Sequence, residues 1–300
     1  MEFLRASVGP PGLHGLTLAG DDGVVLAADR HDGGGPGVVL GHGFGQTRHA
    51  WTSTQRRLGA AGWSSLAWDL RGHGASARNP EGSPYDAGQF IADAVTVAAA
   101  LGPAPVLVGA SMSGLIGLAA QARHRPYSAL VLVDITPRWE VSGVERILGF
   151  MNAHPDGFDS FEHAAERIAA YLPHRRVRKT PSQLKHLLVR RPDGRLAWHW
   201  DPRLLAEFIP TTAALQAPLE DACRTLDVPL LLVSGGRSDV VSEGTVGHLL
   251  ELAPHARHVQ LADATHMVAG DDNDAFAGVL IDFLSELAAP PAAAAPGVSR

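Results

Sequence analysis

The stretch Val108-Gly109-Ala110-Ser111-Met112-Ser113-Gly114 decides how the rest of the sequence is interpreted. It follows a short apolar run and opens an amphipathic stretch, which predicts a sharp turn between a buried strand and a helix. A serine on such a turn is held above the edge of a sheet, and small residues two positions away on either side let the turn form. Gly109 and Ser113 occupy those positions. The pattern predicts Ser111 as a nucleophile, with an N-cap serine as the alternative; we expect Ser113 to pack or cap.

Short apolar runs alternate with helical patterns on both sides of this turn. The runs are Val38–Leu40, Ser65–Trp68, Pro105–Val108, Leu130–Val133, Leu230–Val233 and Val259–Leu261. Runs that are apolar on both faces are typical of parallel strands buried between helix layers. Two further strands, Leu13–Leu18 and Val24–Ala28, are predicted to be antiparallel and joined by a turn at 21–23. The sequence therefore predicts an α/β fold with a mainly parallel eight-stranded sheet flanked by helices.

One long segment, residues 136–216, breaks this alternation because it contains helical patterns but no strand run. We expect it to form a helical cap, or lid, on a core made of residues 1–135 and 217–289. Residues 290–300 are rich in alanine and proline and are expected to be disordered.

A serine nucleophile needs a base, because its hydroxyl is unreactive at neutral pH. His266 lies just beyond the last predicted strand, and Asp239 lies just beyond the strand before it. Both residues, like Ser111, fall at the carboxyl ends of parallel strands, where open α/β sheets place their sites. We therefore predict His266 as the general base and Asp239 as the acid that orients it.

A glycine-rich loop, 41–46, follows the third predicted strand. Glycines there let a backbone amide point into the site, and we predict that the amides of Phe44 and Met112 bind the developing oxyanion. His42 is expected to buttress this loop rather than to take part in the chemistry.

These motifs resemble the α/β-hydrolase superfamily, in its branch of small serine esterases, epoxide-hydrolase-like and non-haem-peroxidase-like proteins. The resemblance is carried by 42–45, 69–76, the Ser111 turn, 236–239 and His266. Epoxide hydrolases and dehalogenases of this fold carry an aspartate where this chain has Ser111, so the resemblance implies an acyl-enzyme mechanism. It also implies an alternative acid, Asp134, directly after the strand that precedes the cap.

The sequence departs from the family pattern at three places. Ser113 replaces a glycine, Thr265 stands where a glycine often precedes the histidine, and Gly41 stands where a larger apolar residue is common. These departures bear on the fine geometry of the site rather than on the class of protein.

The predicted cap is rich in aromatic residues, and an apolar substrate pocket beneath it is expected. The candidates are Trp139, Phe150, Trp198 and Trp200, although many cap aromatics should simply form the core of the cap. The basic run 174–179 is expected to be a solvated face, with attraction of anionic substrates as the alternative. Three cap histidines, His163, His186 and His199, are expected at the surface or in packing.

The composition narrows the function classes. The net charge is −6, which argues against a nucleic-acid-binding face. The chain has no apolar stretch of the roughly 20 residues that a membrane span needs, and its start does not resemble a secretory signal. The single cysteine, Cys223, excludes an internal disulfide. We expect a cytoplasmic enzyme that acts on a small-molecule ester, with no metal or cofactor, no nucleic-acid partner and no membrane association. The oligomeric state is not predicted.

Several alternatives remain at this point. A dinucleotide-binding oxidoreductase would use the 41–46 loop and Asp69, but Gln46 stands where the fingerprint needs glycine or alanine. A non-catalytic binding protein could keep the same fold. Within the enzyme class, thioesters and lactones are further substrates, and perhydrolysis, carbon–carbon bond hydrolysis and amide cleavage are further reactions.

Overall fold

A computed structural model describes residues 7–8, 12–171, 180–266, 268 and 274–289. The strands of the main sheet are β1 (Ser7–Val8), β2 (His14–Ala19), β3 (Val25–His31), β4 (Gly37–Gly41), β5 (Ser64–Trp68), β6 (Val106–Ala110), β7 (Ala129–Val133), β10 (Leu230–Gly235) and β11 (Arg257–Leu261). The predicted eight-stranded sheet is confirmed, and the two-residue β1 extends it at one edge.

The strand order places five loops side by side. The sheet runs β1-β2-β3-β5-β4-β6-β7-β10-β11. Strands β2 and β3 pair with each other in antiparallel fashion, as predicted, and their pairs with β1 and β5 are antiparallel as well. The remaining strands of the sheet, in the order β5-β4-β6-β7-β10-β11, are parallel. The carboxyl ends of β4, β6, β7, β10 and β11 therefore meet at one edge of the sheet, where α/β proteins form their sites.

Helices cover both faces of the sheet. They are α1 (Thr52–Ala60), α2 (Ala87–Leu101), α3 (Met112–His124), α4 (Val141–Asn152), α5 (Phe161–Tyr171), α6 (Pro181–Leu184), α7 (Gln216–Arg224), α8 (Glu243–Leu252) and α9 (Asp274–Ala288). On β7, Leu130 and Leu132 pack into the apolar cluster that contains residues of α2, α3 and α7, whereas Val131 packs with α1 and α9. This division explains why the strand is apolar on both faces.

Residues 136–216 contain α4, α5 and α6, followed by a hairpin of β8 (Leu188–Arg190) and β9 (Leu196–Trp198) and by the helical turns Leu204–Phe208 and Ile209–Leu215. The expectation of a segment without strands was wrong. The two strands have three residues each, too few to show an alternating pattern, and Gly194 with φ +85° closes the turn between them. Leu188 and Leu196 pack with Phe158 in a separate apolar cluster, so part of the segment has its own core.

Two predictions concern residues outside the described ranges. The proposed disordered tail, 290–300, and the basic run, 174–179, both lie there. The division into core and cap stays a prediction. Within the described ranges, no helix is both long enough and apolar enough to cross a bilayer.

Candidate active site

Ser111 occupies a strained turn between β6 and α3. Its backbone has φ 46° and ψ −116°, a region that costs a non-glycine residue about 1–3 kcal/mol. Three hydrogen bonds hold it there: its amide donates to the Val133 carbonyl at 3.0 Å, and its carbonyl accepts from the Gly114 amide at 2.9 Å and from the Leu115 amide at 3.3 Å. The neighbouring strand and the first turn of the helix thus fix the serine over the sheet edge.

The glycines that permit this turn are Gly109 and Gly114. A Cβ on Gly109 would lie 2.6 Å from Gly114 Cα, and a Cβ on Gly114 would lie 2.9 Å from the Gly109 carbonyl oxygen. Strand and helix could not approach so closely with side chains at either position. Position 113 enters this contact only with its backbone carbonyl carbon, 2.7 Å from a Cβ on Gly109, while its side chain reaches the His42 carbonyl; a serine can therefore stand there.

Ser113 and Gly41 are complementary departures from the family pattern. Ser113 is buried, and its hydroxyl donates a 2.6 Å hydrogen bond to the His42 carbonyl. A Cβ on Gly41 would lie 2.6 Å from Ser113 Cβ. The missing side chain at 41 therefore makes room for the added one at 113.

His266 contacts Asp134 rather than Asp239. Its Nδ1 lies 2.7 Å from Asp134 Oδ2 and donates to it, because an ionised carboxylate only accepts. The Asp134 side chain is fully buried, and it also accepts from the Gly235 amide at 2.7 Å and from the Ser238 hydroxyl at 2.5 Å. Three donors therefore hold the carboxylate in one orientation against the imidazole.

The prediction that Asp239 contacts His266 was wrong. Asp239 lies four residues past the end of β10, and its carboxylate forms an ion pair with Arg146 of α4. The turn points Ser238 toward Asp134 instead, so the residue one position earlier faces the histidine's partner. The order serine, aspartate, histidine holds for either aspartate, and for that reason it could not distinguish them.

Two consecutive glycines let the histidine loop reach this position. A Cβ on Gly235 would lie 2.5 Å from the Ala264 carbonyl oxygen, and one on Gly236 would lie 2.6 Å from that of Ala262. The Arg237 amide donates to the Ala264 carbonyl at 2.9 Å. The loop after β11 is thereby fixed against the end of β10, next to Asp134.

The glycine-rich loop after β4 lies against the serine. A Cβ on Gly43 would be 3.3 Å from Ser111 Cβ. In the described part of the chain the Phe44 amide has no hydrogen-bond partner, and Met112 is the first residue of α3, whose first amides have none within the helix. Both predicted oxyanion donors are therefore available to a ligand.

A cavity of about 1320 Å³ lies above these loops, and Ser111 and His266 both line it. Across the ranges described, the Ser111 hydroxyl makes no hydrogen bond, so the serine–histidine contact is not formed in this structure; such contacts often tighten only when substrate is bound. One wall is apolar and consists of residues from α3 and α7, including Leu115, Ala119 and Leu219. Thr52 and Arg56 of α1, the helix on the other face of the sheet, also line the cavity.

Three of the four predicted pocket aromatics line this cavity: Trp139, Phe150 and Trp198. Trp200 is buried instead, and its ring packs 5.1 Å from that of Phe44. Residues 136–216 thus contact the glycine-rich loop after β4 as well as the cavity. The sequence did not point to the contacts of Ser238 and Arg146. A single serine in a loop and a single arginine in a helical pattern do not indicate which side chain they will meet.

The dinucleotide alternative is not supported by the surroundings of Asp69. Its carboxylate is fully buried and accepts from the Arg48 amide at 2.7 Å and from the Ala75 amide at 2.8 Å. Burial alone would raise the pKa of Asp69, but the Arg48 guanidinium holds it below its usual value. A carboxylate used in this way is not free to bind a ribose. Among the described residues, no cluster of three or more His, Cys, Asp or Glu side chains could hold a metal ion.

The chain belongs to the alpha/beta hydrolase family, whose model matches residues 38–279. It is similar to the esterase Rv0045c of Mycobacterium tuberculosis, with 32% identity over 82% of each chain. It is also similar to a 3-hydroxybutyrate-oligomer hydrolase of Cupriavidus necator, with 29% identity over 86% of this chain and 89% of that protein. The crystal structure of the mycobacterial esterase superposes with a TM-score of 0.71, at 28% identity, over 93% of this chain and 94% of that one.

Proposed function

We propose that the protein is a serine esterase that hydrolyses small carboxylic esters through an acyl-enzyme intermediate. The observation that carries this proposal is the meeting of three features on one cavity: the strained Ser111 turn, the His266–Asp134 pair and the free amides beside them. The names of the relatives from M. tuberculosis and C. necator, an esterase and an oligomer hydrolase, point to the same class of bond.

In the proposed first step, Ser111 Oγ attacks the carbonyl carbon of the ester while His266 Nε2 accepts the hydroxyl proton. The negative charge that develops on the carbonyl oxygen is bound by the amides of Phe44 and Met112, each contributing roughly 3 kcal/mol of barrier reduction. Asp134 holds the imidazole in the tautomer that leaves Nε2 free to accept, and it stabilises the imidazolium that forms.

The second step releases the alcohol and regenerates the enzyme. The imidazolium of His266 donates its proton to the leaving oxygen, and the ester bond breaks to leave an acyl group on Ser111. A water molecule then attacks the acyl carbon, again with His266 as base, and the products are one carboxylic acid and one alcohol. None of these steps needs a metal ion or an organic cofactor.

The walls of the cavity favour an ester with an apolar chain. Burial of a CH₂ group contributes about 0.8 kcal/mol, so a chain along the α3 and α7 wall would add affinity with each carbon that reaches it. We propose that residues 136–216 act as a cap over this chain, since Ile147 and Met151 of α4 also line the cavity. Oligoesters belong in the substrate panel because one relative is named for them.

The proposal is tested with p-nitrophenyl esters of increasing acyl length and with a fluorophosphonate probe. We expect turnover to rise from the acetate ester toward esters with longer acyl chains. We also expect each wild-type molecule to react with one molecule of the fluorophosphonate probe. Ser111→Ala should lower kcat at least about a thousandfold and abolish labelling, as loss of a triad member does.

Ser113→Ala is the matched control, because it removes a hydroxyl two residues away that is buried against His42. This variant should still be labelled. Labelling that survived Ser111→Ala but disappeared in Ser113→Ala would refute the nucleophile assignment, and an unlabelled wild-type protein without ester turnover would refute the esterase itself.

A further inference from the structure

Three buried histidines surround the oxyanion loop, Gly43–Gln46. His42 and His73 come from the core, whereas His199 directly follows β9 in the cap segment. At most 5% of any of these residues is exposed to solvent. Sequence reasoning expected His199 only at the surface or in packing, and its contacts go beyond either role.

Backbone amides fix the tautomer of each ring. The Leu70 amide donates to His42 Nε2 at 3.0 Å, so the proton of His42 lies on Nδ1. The Gly45 amide donates to His73 Nε2 at 3.2 Å, and the Gly74 amide donates to His199 Nδ1 at 2.7 Å. A second proton on any ring would point at an amide hydrogen, so all three rings are neutral.

The neutral state agrees with the surroundings of the rings. Burial lowers the pKa of His199 to about 4. Burial also lowers the pKa of His42, and it lowers the pKa of His73 well below the ordinary value of a histidine. The two core rings lie 5.2 Å apart between centroids, and His73 lies 5.9 Å from His199. The cluster is therefore uncharged across the ordinary working range of an enzyme.

Each histidine holds one of three successive peptide groups. His42 Nδ1 donates to the Gly43 carbonyl at 2.8 Å, and this carbonyl belongs to the same peptide group as the Phe44 amide. His73 accepts from the next peptide, through the Gly45 amide. His199 Nε2 donates to the Gly45 carbonyl at 3.3 Å, which is the third peptide.

The cap end that carries His199 is itself anchored to the core. The Asp201 amide donates to the Gly72 carbonyl at 2.8 Å, and its carboxylate accepts from the Tyr85 hydroxyl at 2.9 Å. Trp200, between them, packs on Phe44. The ring of His199 is thus held on a fixed stretch of backbone and can transmit that rigidity to Gly45.

We propose that His199 is a positioning residue by which the cap segment holds the oxyanion loop in its productive orientation. The proposal rests on the proposed esterase function, because it concerns the loop that supplies the Phe44 amide. A donor is effective only at about 2.7–3.1 Å from the position of the developing oxyanion, so the loop must hold it to within a few tenths of an ångström of that place. A loop held on both sides of Gly45, by a core ring and a cap ring, meets that requirement.

The test compares His199→Phe with His163→Phe. Phenylalanine keeps a ring of similar size at 199 but removes both hydrogen bonds, while His163 is a half-exposed cap histidine whose ring nitrogen faces Asp159. We expect kcat for a p-nitrophenyl ester to fall about tenfold or more in His199→Phe with KM changed less than about threefold, since removal of an oxyanion donor itself costs about 10²–10³. His163→Phe should behave as the wild type.

Two further measurements separate positioning from packing. A trifluoromethyl ketone inhibitor, which forms a tetrahedral adduct with the serine, should bind His199→Phe more weakly by the same factor as kcat falls. His199→Gln, which can still donate to the Gly45 carbonyl, should recover part of kcat. A rise in KM with unchanged kcat, or equal inhibitor binding in both proteins, would overturn the positioning role.

Failure of the proposed function gives a different result. If the wild-type protein neither turns over esters nor reacts with the fluorophosphonate probe, the esterase proposal fails first. If the wild type is active and labelled but His199→Phe has the same kcat, only the inference about His199 is refuted.

Discussion

Asp134 and Asp239 are both aspartates in turns that follow neighbouring strands, β7 and β10, yet their surroundings differ completely. The Asp134 side chain has no exposed surface and accepts three hydrogen bonds, whereas that of Asp239 is 28% exposed and pairs with an arginine that is 54% exposed. Both aspartates follow the carboxyl end of a strand, so backbone conformation and neighbours determine which carboxylate can contact the histidine.

The difference begins in the backbone. Asp134 follows β7 directly and adopts φ +51°, and its amide donates to the Val233 carbonyl of the adjacent strand. This conformation turns the side chain across the sheet edge toward the end of β10. Asp239 comes after a four-residue turn that directs Ser238 inward, and its own side chain reaches α4 instead.

The energetic consequences also differ. Hydrogen bonds to a buried charge contribute about 1.5–3 kcal/mol each, and they fix its geometry. An exposed ion pair contributes about 0–1 kcal/mol and orders little. We therefore expect substitutions at the two aspartates to have effects of different size and kind.

The largest contrast is expected between Asp134→Asn and Asp239→Asn. Asparagine at 134 would favour the wrong tautomer of His266 and should lower kcat about 10⁴-fold, the effect seen when a triad aspartate is replaced in this way. Asp239→Asn should lower kcat less than about tenfold. Steady-state ester hydrolysis measures both, and thermal unfolding controls for loss of fold at 134. The opposite ranking would restore Asp239 as the acid.

A smaller effect is expected where α4 contacts the Asp239 turn. A Cβ on Gly143 would collide with the Asp239 carbonyl, while one on Gly149, in the same helix, would meet nothing within 4 Å. Gly143→Ala should lower the free energy of unfolding by about 1–3 kcal/mol through overpacking. Gly149→Ala should raise it by up to about 1 kcal/mol, because alanine is the better helix former. Urea unfolding distinguishes them, and equal shifts would mean that α4 does not rest on this turn.

The smallest effect is expected for Arg146→Gln, which removes the partner of Asp239 but leaves both positions accessible to water. Its cost in the free energy of unfolding should be below about 1 kcal/mol, and 1 M salt should reduce the difference from the wild type. A salt-independent loss of several kcal/mol would show that the pair is more deeply involved in the fold than its exposure indicates.

The sheet could be predicted because its central strands are buried on both faces. Runs such as Leu130–Val133 have no other stable place in a domain of this size, and the structure confirms the eight predicted strands. The β8–β9 hairpin could not be predicted in the same way. Its strands are three residues long, and their burial depends on contact with Phe158, which lies some thirty residues away in the chain.

The turn that carries Ser111 and the loop that carries His266 were also predictable, since each needs a particular residue type at a strand end. The hydrogen bond from Ser113 to the His42 carbonyl was not predictable, because it joins the first turn of α3 to the loop after β4, 71 residues away in the chain. Nor were the contacts of His199, whose neighbours in sequence reveal nothing about Gly45 and Gly74, which its ring contacts.

The sequence by itself determined the layered α/β architecture, the chain order of serine, aspartate and histidine, and the serine on its strand-to-helix turn. Only the tertiary structure decided that Asp134 rather than Asp239 faces His266, and that His199 reaches the glycine-rich loop after β4. The physical reason is that periodicity and turn residues are local properties of the chain. The partner of a side chain, by contrast, depends on backbone torsions and on which strand ends lie next to each other in the folded sheet.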